Sequence, residues 1–219
     1  MTTEEKIIAI QDCIQRSIKR QSKLDDTALG IPGLMSLNIR HLLNNLGSIS
    51  TIYGEVGIHV GGSFCSTIYK NSNLKEAVGI DSWLSDDTEG KDYRKQFDSN
   101  LLKCVTDGMP NIKIIKEDSF NVLMDWLPLG IDLYYFDGSH DEDSQRRALT
   151  YYLPALADTF IFCVDDYMLP EVKKGTQDGI KESGCKVLFE QEFITDHEYD
   201  NESFWRGWYV CILQKTTTI

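Results

Sequence analysis

The chain has 219 residues, 42% of them hydrophobic and 26% charged, a balance that supports a full core in one α/β domain of ordinary size. Its formal charge of −12 argues against nucleic acid as a partner, because phosphates need Lys and Arg to displace their counterions. No apolar run approaches the roughly 20 residues needed to cross a bilayer, and the polar start MTTEEKIIAIQDC is no secretory signal. The six scattered cysteines show no CxxC pair and no zinc spacing, so a reduced, cytoplasmic protein with free thiols is expected.

In chain order, Ile7, Ile8, Ile10, Ile14 and Ile18 recur near a 3.6-residue period and predict an amphipathic helix over 4–21. Its apolar stripe needs a partner, either the rest of the chain or a second copy in a homo-oligomer. A loop with Gly30, Pro32 and Gly33 leads to a second helix over 34–46, stopped by Gly47. From residue 51 the texture changes. Short apolar runs at 51–56, 76–81, 112–118, 131–137 and 159–166 read as strands, with helices expected at 62–70, 93–107, 120–126, 141–156 and 171–183 between or after them. Strands that are hydrophobic throughout and alternate with helices predict a doubly wound, mostly parallel α/β sheet covered on both faces. The runs 186–193 and 205–213 have no helix between them and are expected to close a seven-stranded sheet as an antiparallel pair.

The first strand and the turn after it read IYGEVGIHVGGSF, with three glycines within the six positions 57–62. Ligands of doubly wound sheets sit beyond the carboxyl ends of the strands, where strand order reverses. Glycines there let the backbone approach a ligand, and the next helix offers its amides. The spacing is Glu55-x-Gly57-x-x-x-Gly61-Gly62, which is neither the dinucleotide fingerprint GxGxxG nor a Walker loop, whose lysine is missing. The following strands end in Asp81, in Glu117-Asp118, in Asp137 and in Asp165-Asp166. Acids gathered at one edge repel unless hydroxyls or a cation compensate them. Asp81 lies 24 positions after Gly57, placed to accept from ribose hydroxyls, so the ligand reads as a nucleoside.

Together these segments resemble a class I S-adenosylmethionine-dependent methyltransferase. They are most similar to the macrocin O-methyltransferase-like group, through Asp81-Ser-Trp83, Asp137-Gly-Ser-His140 and Asp165-Asp166-Tyr167. The resemblance covers about 50–213 and implies a catalytic domain over 48–219. The helical extension over 1–47 lies outside it and is expected to pack over the carboxyl edge and help to enclose the acceptor, or to meet a second subunit. It implies that Glu55, Gly57 and Gly61 hold the methionine part of the cofactor. Asp81 would bind the ribose, with Trp83 either near the adenine or packed in the core, and Asp118 would accept from the adenine amino group, with Ser119 nearby. In the metal-dependent members, acids at the positions of Asp137, Asp165 and Asp166 hold Mg²⁺, a hard ion suited to carboxylates. The implied reaction is methyl transfer to a sugar or phenolic hydroxyl of a small molecule. Where the pattern has a second acid as base, this chain has Ser139, which leaves His140 beside Asp137 as the titratable candidate. An NAD(P)-dependent oxidoreductase on a similar sheet, or a binding module without chemistry, is the alternative. The polar segment 195–203 reads as a surface loop or a lid over the substrate.

Overall fold

The structure is a computed structural model that describes residues 2–84, 92–195 and 203–216. Helix α1 (Thr3–Ile18) opens on a reciprocal cap. The Thr2 hydroxyl accepts from the Glu5 amide, and the Glu5 carboxylate accepts from the Thr2 amide at 2.7 Å. A single turn, α2 (Asp26–Leu29), follows, then α3 (Leu37–Gly47). The second predicted helix thus starts three residues late. Ser36 is its N-cap and accepts from the Ile39 amide, which releases Gly33–Met35 into the preceding loop.

The remaining elements are β1 (Ile52–Val56), α4 (Gly62–Ile68), β2 (Glu76–Asp81), α5 (Tyr93–Cys104), β3 (Asn111–Lys116), β4 (Ile131–Phe136), α6 (Glu142–Tyr152), β5 (Leu156–Asp165), α7 (Pro170–Ser183), β6 (Lys186–Phe193) and β7 (Trp208–Gln214). The helix expected over 120–126 is absent, and only a 3₁₀ turn, Met124–Trp126, forms there. Pro128 drives the residue before it into extended backbone, and Leu127 has φ −98° and ψ 146°, so the segment cannot propagate a helix. The last strand begins at Trp208 rather than 205, because Arg206 and Gly207 form a turn with φ of 47° and 80°.

The sheet has the order β3-β2-β1-β4-β5-β7-β6, with β1 to β5 parallel and β7 antiparallel to both β5 and β6. This is the doubly wound seven-stranded sheet with an antiparallel final pair that the strand pattern predicts. Alternate strand residues feed two cores. Tyr53, Leu133, Tyr135, Ile161 and Ile212 meet α1 and α3 through Ile10, Ile14, Ile39 and Leu42, and meet α4 and α5 through Phe64 and Phe97. On the opposite face Tyr134, Phe136, Phe162, Val164 and Tyr209 meet Leu149 and Tyr152 of α6 and Val172 and Ile180 of α7. Helices α1 and α3 therefore lie on a face of the sheet. From that front segment it is the link Gly33–Met35 that reaches the carboxyl edge cavity. Among the described residues no helix is long and apolar enough to cross a membrane.

Candidate active site at the carboxyl edge of the sheet

Strand order reverses between β1 and β4, and the carboxyl ends of β1, β2, β4 and β5 surround a cavity of about 390 Å³. That is the size and place at which doubly wound folds bind small ligands. Its wall includes Gly57, His59, Gly62, Ser63, Asp81, Asp137, His140, Asp165, Asp166 and Arg206, with Leu34, Met35, Ile58 and Trp205 as apolar wall.

The β1–β2 side is made mostly of backbone. The Gly57 amide donates to Ile80 O at 2.9 Å, and the Asp137 amide donates to Val56 O at 2.8 Å. Gly57 has φ +89°, and a Cβ there would sit 1.9 Å from the Asp137 carbonyl oxygen, so no side chain fits. Gly62 opens α4 against Gly33, where a Cβ would lie 2.7 Å from the Gly33 Cα. This close approach presses the 33–35 link onto the glycine turn. Arg40 of α3 fastens the link from behind, donating to the carbonyls of Ala28, Leu29 and Ile31 and to the Ser66 hydroxyl.

Asp81 is the clamp of this turn. One carboxylate oxygen accepts from the His59 amide and the other from the Trp83 amide, both at 2.7 Å. The Trp83 indole donates to His59 O at 2.8 Å. Trp83 is 3% exposed and packs on Phe97, with the Arg94 guanidinium 4.8 Å from its ring centre. It braces the turn from the core side and does not line the cavity. Glu55 is fully buried and accepts from the hydroxyls of Tyr53 and Ser63. Burial pushes its carboxyl up to about 8, the two hydroxyl bonds opposing the rise. It reaches the cavity only through Ser63. Asp118 and Ser119 follow β3 outside the cavity wall. There Asp118 accepts from the Phe120 amide at 3.0 Å, and the Ser119 carbonyl accepts from the Tyr152 hydroxyl.

The β4–β5 side is made of charges. His140 Nε2 lies 3.2 Å from Asp166 Oδ2 and 3.7 Å from Asp137 Oδ1. Arg206 Nη1 lies 3.2 Å from the same Asp166 oxygen. Asp137 raises the His140 imidazole above its ordinary value and Asp166 adds to this, while burial opposes. Burial pushes Asp137 and Asp165 upward. Asp165 lines the cavity, and its Oδ1 is a buried oxygen without a hydrogen-bond partner. Ser139 donates to Asp141, the N-cap of α6, at 2.7 Å, and so belongs to the helix start.

The magnesium set expected from Asp137, Asp165 and Asp166 does not fit the observed arrangement. Among the described residues no group of three or more His, Cys, Asp and Glu side chains is arranged to hold a metal ion. The physical reason is that Asp166 already faces the Arg206 guanidinium and the His140 imidazole. The sequence reading did not single out Arg206, Trp205, Ser63 or the Gly33–Met35 link. A signal for Arg206 was present: a final strand antiparallel to β5 must begin at the edge where β5 ends, and Asp165 indeed pairs with Trp208. Of the expected lid over 195–203, residues 196–202 lie outside the described residues.

A sheet of this order with its cavity at the switch point defines a ligand-binding α/β fold of the doubly wound class. Residues 55–167, just over half of the chain, match the family described as a methyltransferase domain, and the chain belongs to that family. In sequence it is similar to Uncharacterized protein R132 of Acanthamoeba polyphaga mimivirus, 27% identical over 135 residues. That overlap is 58% of this chain and 58% of that protein, so less than two thirds of the curated relative is spanned. In structure it is similar to an O-methyltransferase from Bacillus cereus solved with SAH (TM-score 0.60, 10% identity, 93% of this chain and 91% of that one). It is also similar to the O-methyltransferase TomG from Streptomyces achromogenes, involved in tomaymycin synthesis and solved with SAM (TM-score 0.61, 11% identity, 92% and 89%). At these identities the likeness shows the fold.

Proposed function

We infer that the chain is an S-adenosylmethionine-dependent methyltransferase acting on a hydroxyl of a small molecule, within the macrocin O-methyltransferase-like group and in the cytoplasm. The observation that carries this reading is the coincidence of the methyltransferase-domain match with the cavity wall, from Gly57 to Asp166. The two structural neighbours named above, solved with SAM or SAH, support the choice of cofactor. The methyltransferase match also favours methyl transfer over hydride transfer with NAD(P).

The residues fit the cofactor. At Gly57 and Gly62 a Cβ would collide with the chain's own backbone, so these glycines fix the shape of the turn that lines the cavity. Asp81 is held by two amides yet keeps further lone pairs for ribose hydroxyls. Ser63, oriented by Glu55, faces the methionine end, while Asp118 and Ser119 stand on the adenine side beyond β3. When bound, the cofactor supplies an electrophilic methyl group on a sulfonium sulfur. The chain's task is then to hold the acceptor in line and to take its proton. His140, paired with Asp137, accepts that proton in its neutral form, and Ser139 is committed to the helix cap. The apolar wall of Leu34, Ile58 and Trp205 suits the ring of a sugar or phenol.

Isothermal titration with S-adenosylmethionine, S-adenosylhomocysteine and NAD tests the reading. The first two should bind at one site and NAD should not. Tight NAD binding, or no binding of either adenosyl compound, overturns it.

A further inference from the structure

Asp137, Asp165 and Asp166 put three carboxylates on one wall of the cavity, and such a concentration of charge needs a counter-charge. The structure shows one that belongs to the chain. Arg206 enters from the turn before β7 and points Nη1 at Asp166 Oδ2, 3.2 Å away. The pair is built into the backbone. The Met168 amide donates to Arg206 O at 2.9 Å and the Tyr167 amide to Gly207 O at 3.2 Å, which lock the two turns together. Both residues of the ion pair are in the left-handed region, Asp166 at φ 53° and Arg206 at φ 47°. Non-glycine residues held there cluster at functional sites, because the surrounding structure must enforce the strain. At Gly207 a Cβ would meet Met168 Cγ at 2.5 Å, so the turn cannot drift away from β5. Beside this pair, the buried Asp165 Oδ1 still lacks a donor.

We propose that the Arg206 guanidinium takes the place a divalent cation would fill among Asp137, Asp165 and Asp166. The acceptor oxygen then meets a permanent cation of the chain itself, and Asp165 receives a hydrogen bond from the acceptor. A guanidinium keeps its charge at every working pH and offers several N–H donors, so it can face Asp166 and the acceptor oxygen together. It stabilises negative charge on that oxygen as the proton leaves to His140, without metal coordination. The assignment of the acceptor rests on the methyltransferase reading, whereas the assignment of the cation rests on geometry alone.

Manganese binding, read by electron paramagnetic resonance on the full chain, tests it with and without Arg206. The wild type should take up no Mn²⁺ at this site. Arg206→Met should gain affinity by about tenfold or more, since removing a cation leaves the acids uncompensated, and Asp165→Asn in that background should lose the gain. Arg206→Gln serves if the methionine variant does not fold. A wild-type Mn²⁺ site abolished by Asp165→Asn overturns the proposal, and so does a folded Arg206 variant that gains no affinity. Calorimetric titration with S-adenosylmethionine on the same samples keeps the two readings apart. Lost cofactor binding with the expected manganese results would refute the methyltransferase reading and leave the cation assignment standing.

Discussion

The two sides of the cavity are built by different means. Along β1 and β2 the wall is backbone: glycines without room for a Cβ, and Asp81 clamping the amides of His59 and Trp83. Along β4, β5 and the start of β7 it is side-chain charge, with Asp166 set between His140 and Arg206. A wall made of backbone tolerates almost no substitution, because sterics fix it. A wall made of ion pairs can be changed one residue at a time, and its function changes with its partners. On this division, substitutions on the first side should cost folding or cofactor affinity, and those on the second should alter chemistry or ion binding.

The largest effect belongs to Gly57→Ala. The new Cβ would sit 1.9 Å from a carbonyl oxygen at φ +89°, so β1 and β4 must part. A loss of more than about 3 kcal/mol is expected in urea unfolding, or failure to fold. Gly130→Ala is the control, with φ +85° but nothing within 4 Å, and should cost only about 1 kcal/mol. Equal losses would show that strain rather than the strand approach decides.

Next comes Glu55, a carboxyl buried behind the backbone wall. Its folded value, about 8, lies above the ordinary 4.5, so the folded chain keeps a proton that the unfolded chain has released. Its contribution to stability is full below about pH 4.5 and is lost as pH rises to about 8, with a slope of at most about 1.4 kcal/mol per pH unit, and is flat beyond. Glu55→Gln cannot ionise and should flatten this part of the stability profile. Wild-type and Gln curves that run parallel from pH 5 to 8 would show that Glu55 is ionised in the fold.

Smaller again is the effect of Asp81→Ala on the cofactor site, since the variant unclamps the His59 and Trp83 amides and removes the acceptor for ribose hydroxyls. Cofactor affinity should fall by about 10- to 100-fold, with Asp81→Asn in between. Unchanged calorimetric affinity would remove Asp81 from the cofactor site.

The same division explains what could be read from sequence. The glycine turn and Asp81 are close in the chain, so local spacing announces them, and short apolar runs alternating with amphipathic segments give the sheet and most helices. The failures came where tertiary or turn effects outweighed pattern. Residues 120–126 look helical, but Pro128 stops propagation. Trp83 reads equally as an adenine neighbour or a core residue, and only the fold shows its indole donating to His59 O. Three acids read as a metal site because nothing near them in sequence hints at Arg206, 40 residues after Asp166. Only the antiparallel placement of β7 brings them together.

The smallest expected effect tests whether the apolar rim belongs to the acceptor. Leu34 is 73% exposed although it lines the cavity, and it is held there by the contact of Gly33 with Gly62 rather than by its own packing. A side chain so exposed contributes little to folding, so Leu34→Ser should leave the melting temperature unchanged. If an acceptor ring covers it during turnover, the variant loses about 1 kcal/mol of apolar contact, or about fivefold in acceptor KM. The affinity for S-adenosylmethionine should not move, because in this reading the cofactor is held by Asp81 and by backbone of the glycine turn, not by the exposed Leu34 side chain. A fall in cofactor affinity with acceptor KM unchanged would place Leu34 over the cofactor instead.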